Sequence, residues 1–284
     1  MITLAGISFD WFLIYTLLVM ASAIAIRVGV FCLAVEGIFL TSAFVIGMLT
    51  QTYILSFFPI LLAITAGLFI GRCFLFLTEK LGLEAIITGM SLNLFCMGIS
   101  SYLGYKLFNS TFLGIGDTNN VYLPLVLSAI VLLVMTFYFF EKSHYRNRFI
   151  AVGKSIDAAK FVNIPVIKYR ACALFVTSLL SSIAGVFYFV SQHGVGNMQW
   201  HEGIGFLAIG VAFVAGNSIT KGVLLALILA VFRTIAISLS VSKGGGLGVL
   251  IQISPYLFLL FIVIVPPFFR HCKLFVLNYR EILS

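Results

Sequence analysis

Apolar residues run along this chain in long blocks, which short polar or glycine-containing segments separate. Each block is close to the ~20 residues that one helical crossing of a bilayer needs, and none shows the alternation over about 10 residues that marks a membrane β-strand. The pattern predicts an all-α polytopic transmembrane helical bundle of about nine spans, with eight and ten as the bounds. We place the spans at residues 8–26, 28–48, 57–77, 85–104, 123–140, 171–191, 203–219, 222–241 and 247–266. The seventh is short enough to enter and leave the membrane on one side instead.

The composition agrees with this pattern. Hydrophobic residues make up 62% of the 284 residues and charged residues only 9%, whereas an ordinary soluble domain is about 25% charged. Soluble classes of protein are therefore excluded. No lysine or arginine precedes the first apolar block, so we expect it to remain as a span and not to be cleaved as a signal peptide. We expect residues 1–284 to form a single transmembrane domain surrounded by membrane lipid.

The basic residues indicate which side of the membrane each loop occupies. The longest hydrophilic stretch, residues 141–170, carries Lys142, Arg146, Arg148, Lys154, Lys160, Lys168 and Arg170. Basic loops remain in the cytoplasm, so this loop is predicted to be cytoplasmic and the N-terminus to face outward. The same rule accounts for the net charge of +8, and we expect no nucleic-acid partner.

A short helix is predicted inside this cytoplasmic loop. Ser155 can cap its start, Asp157 suits its positive N-terminal end, and Asn163, before Ile164 and Pro165, ends it. The helix carries an apolar face that an isolated solvated loop does not need, formed by Ala158, Phe161 and Val162. Two interpretations stay open: the helix lies on the membrane surface, or it docks a cytoplasmic partner protein.

Three polar residues within spans are candidates for a substrate pathway: Glu36, Asn93 and Arg233. A carboxylate inside a membrane costs a few kcal/mol unless it is paired or faces a cavity. Glu36 either accepts backbone N–H groups freed where Gly37 loosens the helix, or meets substrate hydroxyls. Asn93 can donate and accept at once, which suits a polar substrate or an interhelical contact. Arg233 has no acidic neighbour one helical turn away.

One short pattern recurs along the chain. Glu36-Gly37-Ile38 resembles Glu202-Gly203-Ile204, and each copy is followed by an Ala-Phe-Val segment that ends in glycine. In the predicted topology the first copy runs outward and the second inward, as an inverted repeat requires. Chance recurrence of small residues in apolar sequence is the alternative.

An outer segment near the seventh span gathers polar and aromatic residues. Trp200, His201 and Glu202 are candidates for an outer gate or, if the chain is of the importer type that it resembles below, for contact with an extracytoplasmic binding protein. A metal site is not expected, because His193 and His201 are separated by seven residues and few ligands accompany them. The glycines at 244–246 lack the following Lys-Ser/Thr of a phosphate-binding loop. We therefore expect no cofactor and no nucleotide site in this chain.

Several segments resemble one transporter family. The cytoplasmic loop contains Gly153-x-x-x-Asp157-Ala158-Ala159 followed by Asn163-Ile164-Pro165, which is similar to the coupling loop of ATP-binding cassette importer permeases. Further segments resemble the permeases of nucleoside and simple-sugar importers of the basic membrane protein type, and in particular the shorter of their two permeases. These segments are residues 27–38, 88–95, 203–209 and 254–257.

The resemblance implies a permease subunit with no catalytic residues, in the plasma (inner) membrane of a bacterium. A separate cytoplasmic ATPase would dock on Gly153, Asp157, Ala158, Ala159, Phe161 and Val162. A second permease would complete a heterodimer, and an extracytoplasmic binding protein would deliver the substrate. The implied substrate is a nucleoside, with simple sugars next. The rival hypothesis is an ion-coupled secondary transporter of a small polar solute, which an inverted repeat also fits.

Overall fold

The computed structural model describes residues 4–52, 57–108, 112–113, 119–143, 145–191, 196–197, 203–216, 218–243 and 253–261. Most of these residues are helical, which confirms the predicted all-α polytopic fold. The helices are α1 (Leu4–Arg27), α2 (Val35–Thr52), α3 (Phe57–Leu75), α4 (Ala85–Phe108), α5 (Asn119–Lys142), α6 (Arg146–Lys154), α7 (Ile156–Phe161), α8 (Val166–Ser191), α9 (Ile204–Ala215) and α10 (Ile219–Lys243), with α11 over residues 254–261. A π-helical turn, Phe76–Lys80, extends α3.

Six helices in the described part of the chain are long and apolar enough to cross a membrane. They correspond to α1, α3 with its π turn, α4, α5, α8 and α10. Two shorter apolar helices, Val35–Thr50 and Ile204–Ala215, occupy the predicted second and seventh spans. With 12 residues, α9 is about 18 Å long at 1.5 Å per residue, which is little more than half of a roughly 30 Å hydrocarbon core. The predicted ninth span is described only over residues 253–261.

The core lies around α1 and α8, whose membrane-length windows are each 78% buried. Helix α1 packs against α8, α9 and α10, and α8 packs against α1, α2 and α3. Helix α2 contacts α3 and α4, while α9 contacts α10 and lies against α11, where Gly210 faces Leu259. Exchanging α1 with α8, α2 with α9, α3 with α10 and α4 with α11 reproduces this set of contacts. An inverted repeat is expected to produce such packing.

One end of the bundle collects basic residues, and we call it the basic end. Arg27, at the end of α1, donates to the Phe140 carbonyl at 2.7 Å and pairs with Glu141 at 2.7 Å. Arg170, in α8, pairs with Glu79 of the π turn at 2.8 Å. These contacts bring the C-terminal ends of α1, α3 and α5 beside the N-terminal end of α8, with α6 and α7 at the same end. By the positive-inside rule, we expect the basic end in the cytoplasm.

The opposite end holds a small antiparallel pairing of two β-strands, β1 (Phe112–Leu113) and β2 (Gly196–Asn197). This pairing joins the connection between α4 and α5 to the connection between α8 and α9. At the same end, the Tyr122 hydroxyl of α5 donates to the Asp10 carboxylate of α1. Backbone hydrogen bonds between β1 and β2 thus join the connection before α5 to the connection after α8.

Candidate functional site

The chain leaves the helical conformation between α1 and α2, over residues 28–34. The sequence pattern predicts one uninterrupted span over 28–48, but α2 begins only at Val35. Glu36 and Gly37 therefore lie in the first turn of a helix and not in the middle of one. The first backbone N–H groups of a helix have no partner within it. A helix that starts inside a bundle consequently needs hydrogen-bond acceptors from other elements.

Asn93 of α4 supplies such an acceptor. Its Oδ1 accepts from the backbone N–H of Gly37 at 2.7 Å, and its Nδ2 donates to the carbonyl of Leu33 at 2.7 Å. The side chain is buried, with 5% of its surface exposed. One amide thus pairs both with the start of α2 and with the non-helical segment before it. These contacts favour the interhelical interpretation of Asn93.

Glu36 supplies the acceptor for a second helix start. Its carboxylate accepts from the backbone N–H of Gly205, in the first turn of α9. The residue is 4% exposed, and the positive end of a helix dipole stabilises a carboxylate in this position. The sequence leaves two interpretations of Glu36 open, the binding of freed backbone N–H groups and contact with substrate hydroxyls. The N–H group that it binds here belongs to α9, 169 residues further along the chain.

The two helix starts approach so closely that glycine is required. A Cβ atom at Gly205 would lie 2.9 Å from the Cα of Glu36 and 2.3 Å from its Oε2. A Cβ atom at Gly37 would lie 2.7 Å from the Oδ1 of Asn93. We call this site, formed by Leu33, Glu36, Gly37, Asn93 and Gly205, the junction. It joins the first turns of the two short helices whose sequences resemble each other.

Arg233 lies elsewhere. It is buried in α10, and its guanidinium carbon is 5.0 Å from the centroid of the Trp11 ring in α1. Trp11 lies near the start of α1 and therefore toward the end opposite Arg27. The structure thus brings Glu36 and Asn93 together and describes Arg233 in a separate cation–π contact with an aromatic side chain.

The predicted helix of the cytoplasmic loop is confirmed as α7. The Oγ of Ser155 accepts from the N–H of Ala158 at 3.3 Å and caps the helix start. Asn163 adopts a left-handed conformation with φ +54° and ends it. Both boundary residues are those that the sequence predicts.

The faces of α7 differ sharply in exposure. Phe161 is 90% exposed and Val162 74% exposed, whereas Ala159 is 2% exposed. Asp157 and Ala158 also face outward. Large apolar side chains at the end of a two-turn helix have no cover within the described part of the chain. We call Phe161 and Val162 the apolar tip. Ala159 instead anchors the helix from beneath.

The base of the loop is packed directly against the bundle. A Cβ atom at Gly153, in α6, would lie 2.2 Å from the carbonyl oxygen of Arg27. Helix α6 therefore touches the backbone at the end of α1 with no side chain between them. Of the residues that the coupling-loop motif indicates, Gly153 and Ala159 hold the loop in place and the apolar tip faces away.

Glu141 is a residue that the sequence analysis misses. Its carboxylate pairs with Arg27 of α1 and, at 3.1 Å, with Arg146 of α6, and it accepts from the backbone N–H of Ile219 at 3.3 Å. One acidic side chain therefore links α1, α5, α6 and the start of α10. The only sequence signal is an acidic residue at the first position of a basic loop. We expect any movement of α6 to be passed to α1 and α10 through this carboxylate.

The outer candidates, Trp200, His201 and Glu202, lie outside the described residues. The described elements on either side of them are β2 and α9, and the pairing of β2 with β1 brings the backbone of residues 196–197 beside that of residues 112–113. Their predicted role at an outer gate or in contact with a binding protein stays a prediction.

The sequence is similar to known transport proteins. Residues 5–265 match the family described as branched-chain amino acid transport system / permease component. A putative glucose ABC transporter permease protein of Haloferax volcanii is 26% identical over 180 residues, which cover 56% of this chain and 54% of the relative. The chain thus matches about half the length of this curated relative.

Proposed function

Because this chain belongs to the family of branched-chain amino acid transport system permease components, we propose that it is the transmembrane permease subunit of an ATP-binding cassette importer. It contributes to the translocation pathway and carries out no covalent chemistry. ATP is hydrolysed by a separate cytoplasmic subunit. The protein is a multi-pass protein of the bacterial plasma membrane, and it pairs with a second permease and receives substrate from an extracytoplasmic binding protein.

The apolar tip of α7 is the observation that carries this proposal. Phe161 and Val162 project at the basic end from a helix that Ser155 caps and Ala159 anchors. An exposed aromatic side chain such as Phe161 on a fixed support is typical of the anchors by which one protein binds another. The alternative, a helix resting on the membrane surface, does not explain why the base of the loop is packed so firmly on α1. We assign the tip to the ATPase.

We place the substrate pathway beside the junction. Glu36 and Asn93 bind backbone groups at the starts of α9 and α2, so their role is to hold these two helices start to start. Helices that begin within a membrane protein are a common means of building a transport pathway. The junction also suits an ion-coupled transporter, which is the second candidate. That class expects paired carboxylates for the ion, whereas Glu36 is the one carboxylate among the described residues that form the junction.

We propose a nucleoside as substrate and a simple sugar as the next candidate. The segments that resemble nucleoside and simple-sugar permeases support both, and the glucose permease name of the relative favours sugars. Ribose is common to the two classes, and hydroxyl recognition by polar groups along a pathway serves either.

Uptake by proteoliposomes that contain the assembled transporter tests the function. We expect accumulation of radiolabelled nucleoside that requires ATP at the ATPase side and persists when ionophores collapse the proton and sodium gradients. If glucose or ribose accumulates and nucleoside does not, the proposed importer function holds but its substrate is a simple sugar. If ionophores abolish uptake while ATP is present, the ATP-driven importer function is contradicted and the ion-coupled transporter is favoured.

A further inference from the structure

An open groove lies at the basic end, between the end of α5, α6 and the start of α8. Its volume is about 290 Å³. The residues that matter for its chemistry are Phe139, Tyr145, Phe149, Lys168, Tyr169 and Cys172. The groove is separate from the junction and from the apolar tip, and the proposed transport function uses none of these residues.

Aromatic rings form the wall of the groove and hold one another in place. Phe139 stacks on Tyr145 with centroids 6.2 Å apart, and Phe149 meets Tyr169 edge to face at 5.1 Å. Phe149 is 2% exposed and fixes the wall from behind, while Phe139 is 39% exposed and Tyr145 48% exposed. The result is a rigid apolar surface that is open to its surroundings.

Two basic side chains stand at this surface. Lys168 lines the groove. Arg148 donates from Nη1 to the Tyr169 hydroxyl at 3.1 Å, and its guanidinium carbon is 5.8 Å from the centroid of the Tyr145 ring. Among the described residues that line the groove, none is acidic. The groove also touches the positive N-terminal end of α8, which begins after Pro165. Both features favour an anionic occupant.

The depth of the groove identifies the kind of anion. Phe139 lies within the membrane-length segment Val121–Lys142 and Cys172 within Val166–Ser191. Arg148 lies in α6, outside both segments, and Lys168 lies in the first turn of α8, one turn closer to the start of the segment than Cys172. An occupant is therefore apolar where it meets Phe139 and Cys172 and anionic where it meets Arg148 and Lys168. A phospholipid of the cytoplasmic leaflet has this combination, and basic pockets beside transmembrane helices on that side bind anionic headgroups.

We propose that this groove is a binding site for one anionic phospholipid. Its phosphate and headgroup lie at Arg148 and Lys168, and one acyl chain lies along Phe139, Tyr145 and Cys172. The site holds the lipid against the loop that carries the apolar tip, although the proposal does not depend on the transport function.

Native mass spectrometry of the full chain tests the site with two lipids of identical acyl chains, phosphatidylglycerol and phosphatidylcholine. We expect one phosphatidylglycerol to remain bound under conditions that remove phosphatidylcholine. Replacing both Arg148 and Lys168 by glutamine should weaken phosphatidylglycerol binding roughly 25-fold, at about fivefold for each basic side chain near the membrane surface. The Lys168→Arg variant, which keeps the charge, should bind as the original chain does.

A matched control removes the same amount of charge elsewhere. Lys80 and Lys106 each lie over an aromatic ring, Phe76 and Tyr102, outside the groove. The Lys80→Gln/Lys106→Gln variant should bind phosphatidylglycerol normally. The proposal would be overturned if both double variants lost phosphatidylglycerol binding equally, or if the original chain retained both lipids equally. Full displacement by inorganic phosphate would show an anion site without a lipid and would also overturn the proposal.

Discussion

Replacing Phe161 with aspartate should abolish ATP-driven transport and release the ATPase subunit, while the permease still inserts into the membrane. Phe161 is 90% exposed and contributes little to the folding of its own chain. In the proposed complex it fills an apolar cleft, where an unpaired carboxylate is strongly penalised. We expect a loss of about 2–4 kcal/mol, which corresponds to roughly 30- to 1000-fold weaker ATPase association. Co-purification of the ATPase with the tagged permease measures it.

Two control variants separate docking from damage to the fold. Phe161→Leu keeps an apolar side chain and should retain most ATPase binding. Leu81→Asp introduces the same charge at another exposed apolar position, 58% exposed, beside the π turn at the basic end, and should leave the ATPase bound. Undiminished co-purification with Phe161→Asp would exclude α7 as the docking helix. A substitution at Ala159 is a poor probe, because that residue is 2% exposed and its replacement disturbs the loop itself.

Replacing Gly205 with alanine should prevent assembly of a stable permease. The new Cβ atom would lie 2.9 Å from the Cα of Glu36, so the first turns of α2 and α9 would have to separate. That separation would break the hydrogen bond from the Gly205 N–H to the Glu36 carboxylate, and each buried group left without a partner costs about 1–3 kcal/mol. The yield of monodisperse protein and its thermal midpoint measure the effect. Gly98→Ala in α4 is the matched control, because nothing lies within 4 Å of its added Cβ.

Variants of the two polar side chains then distinguish positioning from substrate contact. Glu36→Gln keeps an oxygen that can accept from Gly205 and should retain much of the stability, whereas Glu36→Ala should lose it. Asn93→Ala removes the partners of Gly37 and Leu33 and should reduce assembly and transport in step. An Asn93→Ala or Glu36→Ala protein that assembles and melts normally but does not transport would assign the residue to substrate binding. Normal stability of Gly205→Ala would contradict the described junction.

Local signals were sufficient to predict the helix α7. Ser155 and Asn163 act on the turns next to them, so their effect on α7 is visible in the sequence alone. The basic residues of the loop likewise predict its side of the membrane without any knowledge of packing. Phe161 and Val162 were identified as an apolar face because helical spacing depends only on neighbours. Their actual exposure, and the burial of Ala159, depend on how α6 packs against α1.

The junction required contacts that sequence cannot supply. Residues 28–34 are largely apolar, and hydropathy does not distinguish a helical from a non-helical apolar segment, so the break before α2 was missed. Asn93 binds the carbonyl of Leu33 in this break and the N–H of Gly37 just after it, although it lies 60 and 56 residues from them along the chain. The repeated Glu-Gly-Ile pattern pointed to α2 and α9 but not to their meeting. Glu141 was missed for the same reason, because Arg27 lies 114 residues before it.

The most direct test of ATPase docking on α7 is a photo-cross-linking amino acid at position 161 of the full-length protein in living cells, with the adduct identified by mass spectrometry. We expect an adduct with a separate protein that contains the phosphate-binding sequence G-x-x-x-x-G-K-[ST]. The same probe at position 127, in the middle of α5, where Leu127 is 56% exposed, should give no such adduct. Adducts from position 161 that contain only lipid, or only this chain, would contradict the proposal that α7 couples an ATPase to transport.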